Sequence, residues 1–295
     1  MGDKKKILPK SCNRAVFNKQ LATIHKQLCQ FIRREEASYD GSSNVPDSLM
    51  GHLERVAVYA VRLASKEGVD PMRAELAGLF HDAGKFHGGT YHEDNKPEEE
   101  YSIEVLHQLA EDDVLSPDII EDVSDAIRQL YRDDFKQTPL SMVLFDADNL
   151  DKIGLLGIAN YFIKSGLRGR GITTEMITDL TVELTYARYA ARRFYTKTGR
   201  ALAERRSTDT IHFIHHFLAT LKEDGLFETR IEHALVSDVE LEVVTPSACH
   251  CGAAMKIKQT WIEQGVKCTE IHLEIACSSC GNKQKIKFCR PMFVV

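Results

Sequence analysis

The chain has 295 residues, of which 43% are hydrophobic, with 43 acidic against 38 basic side chains and a formal net charge of −5. That length buries a core of useful size and leaves room for two domains. A mean hydropathy of −0.27, with no apolar run near the ~18 residues of a membrane span, argues against a membrane protein, and the acidic balance gives nucleic acid no general attraction.

No apolar h-region follows Met1-Gly2-Asp3-Lys4-Lys5-Lys6, so a cytoplasmic, reducing setting is expected. Hydrophobic spacing predicts a first helix over about 13–36, then a loop of turn formers over 38–46. His52-Leu53-Glu54-Arg55-Val56 opens the next helix, whose apolar face runs through Val56, Ala60, Leu63 and Ala64. Arg55 lies one turn beyond His52 on the same face. A helix through Ala74 and Leu76 leads into Leu79-Phe80-His81-Asp82-Ala83-Gly84-Lys85, with Gly84 as its expected stop. Residues 87–101, with Gly88-Gly89, Pro97 and Glu98-Glu99-Glu100, read as a loop suited to a lid or a substrate-reading element. Ser116-Pro117 and Thr138-Pro139 each pair a capping residue with proline at the first helical position. The helix after Pro139 is apolar on most sides and therefore buried, yet it carries Asp146-Ala147-Asp148-Asn149-Leu150-Asp151. The expected organisation is a helix and loop over 1–48, an all-helical domain over 49–235, and a small β domain over 236–295.

His52, His81, Asp82 and one aspartate of the last string offer nitrogen and oxygen donors that suit a divalent transition metal: manganese, iron, cobalt, nickel or zinc. At about 100° per residue, Asp146 and Asp148 lie roughly 160° apart around a helix, so one metal takes only one of them. Asp151 lies on the side of Asp148; were Asp148 the ligand, Asp151 would orient a ligand or take a proton, and Asp146 would be a cap or a partner of another helix.

The order H…HD…D and its three local strings resemble the HD-domain metal-dependent phosphohydrolases. Asp148-Asn149-Leu150-Asp151-Lys152-Ile153-Gly154, Gly157-Ile158-Ala159, Arg168-Gly169-Arg170, Tyr195-Thr196-Lys197-Thr198-Gly199-Arg200 and Ala203-Glu204-Arg205-Arg206 extend the likeness to the small stand-alone HD hydrolases, over about residues 49–222. The resemblance selects Asp148 as the fourth ligand beside His52, His81 and Asp82. It also implies that Lys85, Arg55 and Arg168 or Arg170 neutralise a phosphate. For general acid or base it offers Asp82, Asp151, Glu98, Glu99, Glu100 and Glu104, although the glutamate run also reads as a solvated face. Family members with two or three metals carry extra histidines after a helix like 118–130. Here Gln129-Leu130-Tyr131-Arg132 has none, which favours one metal, with His87, His92 and His107 as spare candidates.

Strand-like alternation begins near Val239, and six of the eight cysteines fall between 249 and 289. Cys249-His250-Cys251-Gly252 and Cys277-Ser278-Ser279-Cys280-Gly281 each place two thiolates on a tight turn. Ile271, Leu273, Ile275, Ile286 and Phe288 alternate as strands do. This part resembles a zinc ribbon with Cys249, Cys251, Cys277 and Cys280 holding a structural zinc. Cys268 and Cys289 are expected to be free thiols. In a reducing compartment paired thiols bind metal rather than form disulfides. Lys256, Lys258, Lys267, Lys283, Lys285, Lys287 and Arg290 make the module basic, which suits nucleic acid or protein contact or a plain solvated surface.

The leading expectation is a mainly α hydrolase of a phosphate ester or anhydride, with a nucleotide as its small-molecule partner and no membrane partner. Two alternatives stand beside it. One is a phosphodiesterase or nuclease whose RNA or DNA the ribbon recruits, and the other is a non-catalytic adapter that senses a nucleotide.

Overall fold

The computed structural model describes residues 14–39, 48–89, 96–110, 115–130, 132, 136–236, 239–264 and 269–289. Helix α1 (Arg14–Ser38) lies against a bundle of α2 (Ser48–Glu67), α3 (Pro71–Phe80), α4 (Glu98–Ala110), α5 (Pro117–Arg128) and α6 (Pro139–Asp151). Helix α4 begins at Glu98, directly after Pro97, so the expected loop is shorter than 87–101. Helix α2 packs on both α3 and α6. Its approach to α3 is set by Gly78, where a Cβ would stand 2.5 Å from Ala57 Cα and 2.7 Å from Ala57 N. Only glycine lets the two backbones meet this closely.

Helix α3 ends at Phe80, and the chain turns through His81–Phe86, so Gly84 is not its stop. A Cβ at Gly84 would lie 2.5 Å from Ser102 N and from Tyr101 Cβ, and Gly84 N donates to Ser102 Oγ at 3.0 Å. The glycine serves close packing on α4. Helix α6 opens with Thr138 and Ser141 in a reciprocal capping box and Pro139 in the first turn, and is buried at every position from Val143 to Asp151. Asp146 accepts from Tyr195 N (2.9 Å), Thr196 N (2.8 Å) and Thr196 Oγ1 (2.6 Å). It thus ties α6 to the start of α9 (Lys197–Glu223), the helix that follows α7 (Gly154–Leu167) and α8 (Thr174–Ala190).

Strands begin at Thr229, earlier than the alternation suggested. An antiparallel hairpin, β1 (Thr229–Val236) and β2 (Val239–Pro246), pairs Val236 with Val239 at its tip, so the expected boundary at 235/236 cuts through it. Glu232 and His233 break the apolar alternation of β1, which hid the strand. Strand β2 is buried on both faces. Val244 joins the α8–α9 core, while Leu241 and Val243 join the core of the last sheet. That sheet is antiparallel, in the order β3 (Met255–Gln264), β4 (Thr269–Cys277), β5 (Lys283–Cys289), with Ile271, Leu273, Ile275 and Ile286 turned inward. The architecture is an all-helical domain followed by small β layers, and no helix among the described residues is long and apolar enough to cross a membrane.

Gly78→Ala should wedge α2 from α3 and cost on the order of 2 kcal/mol by overpacking. Chemical denaturation of the variant beside wild type measures this, and unchanged stability would show that the approach is not tight.

Candidate metal centre

Three helices converge on one point. Helix α2 supplies His52, the turn after α3 supplies His81 and Asp82, and α6 supplies Asp148. His52 Nε2 lies 3.4 Å from Asp148 Oδ1 and 3.8 Å from Asp82 Oδ2. His81 Nε2 lies 3.7 Å from both Asp82 Oδ1 and Asp148 Oδ1. These separations exceed hydrogen bonds but approach the ~3–3.6 Å between neighbouring ligands of an ion bound at about 2.0–2.2 Å.

Hydrogen bonds on the far side of each ring decide what faces inward. His81 Nδ1 lies 2.9 Å from the Gly78 carbonyl, which only accepts, so Nδ1 carries the proton and Nε2 presents a lone pair. That Nε2 is buried and makes no hydrogen bond. His52 Nδ1 is held by Asp151 Oδ2 at 2.8 Å, which turns its Nε2 inward in the same way. Two imidazole lone pairs and the Asp148 carboxylate therefore meet within reach of one ion, while Asp82 stands beside them, 3.7–3.8 Å from the two rings, with its Oδ2 taken by Lys85. The donor set fits a divalent cation.

Both carboxylates also meet a lysine. Lys85 Nζ lies 2.8 Å from Asp82 Oδ2, and Lys152 Nζ lies 2.7 Å from Asp148 Oδ2. Burial pushes the Asp148 carboxyl up, but Lys152 and the two histidines outweigh it and hold the group well below the usual range. Asp82 is likewise lowered against burial, by Lys85 and His81. For His81, burial disfavours the charged ring, yet Asp82 and Asp148 raise its pKa.

Arg55 sends Nε to Asp151 Oδ1 (2.7 Å) and Nη2 to Asp151 Oδ2 (2.9 Å). Its fork thus engages Asp151, and Asp151 in turn orients His52. Beyond the ligands, an open cleft is walled by Lys85, Lys152, Glu98, Glu99 and Leu130. Glu98 is pushed up to about 7 by burial and by Asp82, with Lys85 opposing. Glu100 instead pairs with Arg128 at 2.9 Å, and Glu104 pairs with Lys96. Arg168 caps the end of α7 and Arg170 bonds Asp179 at 2.9 Å; neither lines the cleft. His87 stacks on Tyr101 and His107 is exposed in α4, while His92 lies outside the described residues. Among the described residues no further histidine joins His52 and His81.

Sequence reasoning missed Lys152 and Tyr186. Lys152 stands four residues after Asp148, a spacing that places it on the same helix face. Tyr186 donates to Asn149 Oδ1 at 2.8 Å, a contact across 37 residues that no local pattern reveals.

The four cysteines also converge. Cys249 and Cys280 sulfurs are 3.6 Å apart, and those of Cys251 and Cys277 3.4 Å, near the ~3.8 Å edge expected of a tetrahedron with 2.3 Å metal–sulfur bonds. Gly252 (φ 83°) and Gly281 (φ 73°) turn the backbone so that amides face sulfur. Ser279 N and Cys280 N point at Cys277 Sγ and draw that thiol down to about 6. Such a set fits a thiophilic ion. Cys268 and the side chain of Cys289 lie outside the described residues.

The sequence profile of the HD domain family matches residues 49–153. No curated protein matches the chain. Among solved structures, Bacillus subtilis YpgQ is similar at 24% identity, over 70% of this chain and 97% of that one, with a TM-score of 0.52. The same protein in complex with ADP aligns at 23% identity over 71% and 96%, with a TM-score of 0.50. An HD-superfamily hydrolase from Bacillus thuringiensis aligns at 19% identity over 69% and 98%, with a TM-score of 0.50. Residues 49–153 of this chain match the HD domain family, and about 70% of the chain shares the fold of these structures.

Proposed function

We propose that this protein is a metal-dependent hydrolase that cleaves a phosphate ester or anhydride of a small nucleotide. One observation carries the reading. Two inward imidazole lone pairs and the Asp148 carboxylate share a point at the floor of an open cleft, with Asp82, Lys85 and Lys152 beside it. A divalent ion held by His52, His81, Asp82 and Asp148 would supply a nucleophilic water at neutral pH and neutralise phosphate charge. Manganese, iron, cobalt, nickel or zinc suits these donors better than magnesium.

The remaining work falls to the chain's own side chains. Lys85 and Lys152 bind the outer carboxylate oxygens and are placed to meet phosphate oxygens in the cleft. Asp151, braced by Arg55, fixes the proton of His52 on Nδ1. Glu98 and Glu99, at the rim, are placed to take or deliver a proton. Support for a nucleotide comes from the structural neighbour YpgQ, which has been solved in complex with ADP.

The ribbon's charges favour a small substrate over a polymer. Lys283 pairs with Glu274 at 2.9 Å and Lys287 with Glu270 at 2.8 Å, which leaves less positive charge for a phosphate backbone. The complete ligand set, with two lysines in the cleft, favours catalysis over a sensing adapter. The four cysteines hold a structural zinc in this reading.

His81→Ala and Asp148→Ala should remove the exchangeable metal and lower hydrolysis on the order of 10³-fold, since metal ligands act as a unit. Asp146→Ala should keep the metal and lose about 3 kcal/mol of stability, because it strands buried donors. Elemental analysis and thermal melts of the three variants check this; metal loss in the Asp146 variant would reassign the fourth ligand.

Lys85→Ala and Lys152→Ala should retain metal while binding phosphate roughly tenfold more weakly, the loss of one charge-assisted hydrogen bond. Inorganic phosphate inhibition constants report it. Equal inhibition in wild type and both variants would place the phosphate elsewhere.

On a panel of nucleoside mono-, di- and triphosphates, cyclic dinucleotides and single-stranded RNA and DNA, the manganese-loaded protein should hydrolyse small nucleotides. Replacing Lys256, Lys258 and Lys285 by glutamine should leave that activity intact. Polymer cleavage that falls steeply with salt and with these substitutions would reverse the preference.

A further inference from the structure

We propose that the four-cysteine module is a clamp on α8, and that through α8 it fixes Tyr186 as a positioning residue of the metal centre. The proposal rests on reading His52, His81, Asp82 and Asp148 as a metal site.

Strand β2, which shares the apolar core of the cysteine-bearing sheet, and Gln284 of that sheet grip α8 along its length. Thr178 Oγ1 reaches Gln284 of β5 at 3.4 Å, and Val244 N of β2 donates to Thr181 Oγ1 at 2.9 Å. Arg188 bonds Glu242, which also meets His215 of α9 at 3.2 Å. Glu240 N donates to the Tyr189 hydroxyl at 2.8 Å, and that hydroxyl donates back to Glu240 O at 3.1 Å. The Tyr189 ring sits in one apolar cluster with Leu241, Val243, Ile271, Cys249 and Cys277. The helix is therefore packed against the same core that contains two of the four sulfurs.

Tyr186 lies about 60° from Tyr189 around α8 and reaches a different neighbour. Tyr186, three residues before Tyr189, turns towards α6 and donates to Asn149 Oδ1 at 2.8 Å. Asn149 is buried, donates through Nδ2 to Phe145 O at 2.8 Å, and is the next residue after Asp148. A phenol and an amide thus brace the backbone that aims a ligand carboxylate. The contacts run from the cysteines through β2 and α8 to Tyr186, Asn149 and Asp148. A module too small to hold its shape without metal would then transmit metal loss to the HD site.

The test uses the full-length, zinc-replete protein with manganese as the probe, since thiolates bind manganese poorly. Electron paramagnetic resonance of free manganese gives the affinity of the HD site. Emission of Trp261, the only tryptophan, lies on β3 and reports the module alone. Tyr186→Phe should weaken manganese binding about tenfold with zinc content and Trp261 emission unchanged. Cys277→Ser with Cys280→Ser should lose one zinc, shift Trp261 emission and weaken manganese binding to a similar degree. Combining all three substitutions should weaken it no further than either alone, because both act through one contact. Wild-type manganese affinity in Tyr186→Phe or in the cysteine variant would overturn the proposal, as would losses that multiply. If the cysteine variant loses helical circular dichroism, Thr181→Val tests the grip with zinc in place. Weakened manganese binding there supports the clamp, and wild-type affinity refutes it. Failure of the wild-type protein itself to bind manganese would refute the underlying metal-site reading, an outcome distinct from failure of the clamp.

Discussion

At the centre of the helical domain His52, His81 and Asp148 bring three acceptors together, and the surrounding structure is arranged around that imbalance. His81 is fully buried and the Asp148 side chain is 3% exposed, so neither carboxylate nor ring can rely on water. Charge buried this deeply is destabilising unless it is paired and hydrogen-bonded. Each outer atom accordingly has a fixed partner: Lys152 on Asp148, Lys85 on Asp82, the Gly78 carbonyl on His81, and Asp151 on His52. The inner atoms are left facing one another, an imbalance that a bound cation would relieve. Gly78 therefore serves twice. Its missing side chain lets α3 reach α2, and its carbonyl sets the His81 proton.

The parts of the site legible in the sequence were those encoded by adjacency. His81-Asp82 sits where a helix ends, His52 opens a helix, and Asp148 lies within an otherwise apolar one; each is a local anomaly. The geometric argument that Asp146 and Asp148 face opposite ways also holds, because a buried helix has few other ways to place two carboxylates. What adjacency could not encode was pairing between distant helices. Arg55 reads as a phosphate ligand because it is a cation one turn from His52, but Asp151, 96 residues away, claims its fork. Tyr186 carries no local signal at all. Gly84 looks like a helix stop and is instead a packing glycine, a distinction that depends on where α4 lies. Strand β1 escaped notice because its polar positions face outward from a hairpin whose partner supplies most of the buried surface.

The charge pattern of the last sheet shows how composition can mislead about partners. Of the β5 lysines, Lys285 is in register with Glu274 of β4, while Lys283 faces Ala276 and Lys287 faces His272 and each reaches a glutamate diagonally. Glu274 takes Lys283, and Glu270 takes both Lys287 and His272. Cross-strand pairs of opposite charge stabilise a sheet by roughly 0.2–1 kcal/mol each, so these lysines are explained by the sheet itself. A basic stripe counted along the sequence is, in space, an alternating surface.

That surface encloses little core. Ile271, Leu273, Ile275, Ile286 and Met255 share their cluster with β1, β2 and Tyr189 of α8, so the sheet completes its apolar interior only by leaning on the helical domain. A layer so thin needs either a metal or a neighbour to stay folded; it has the neighbour, and its four cysteines are placed to hold a metal. The cysteine site and the helical domain are then stabilised through one interface. Weakening either side exposes the apolar face of β2, which is buried from both directions. The candidate metal centre is reached from that interface through a single helix, α8, whose Tyr186 meets Asn149 beside Asp148.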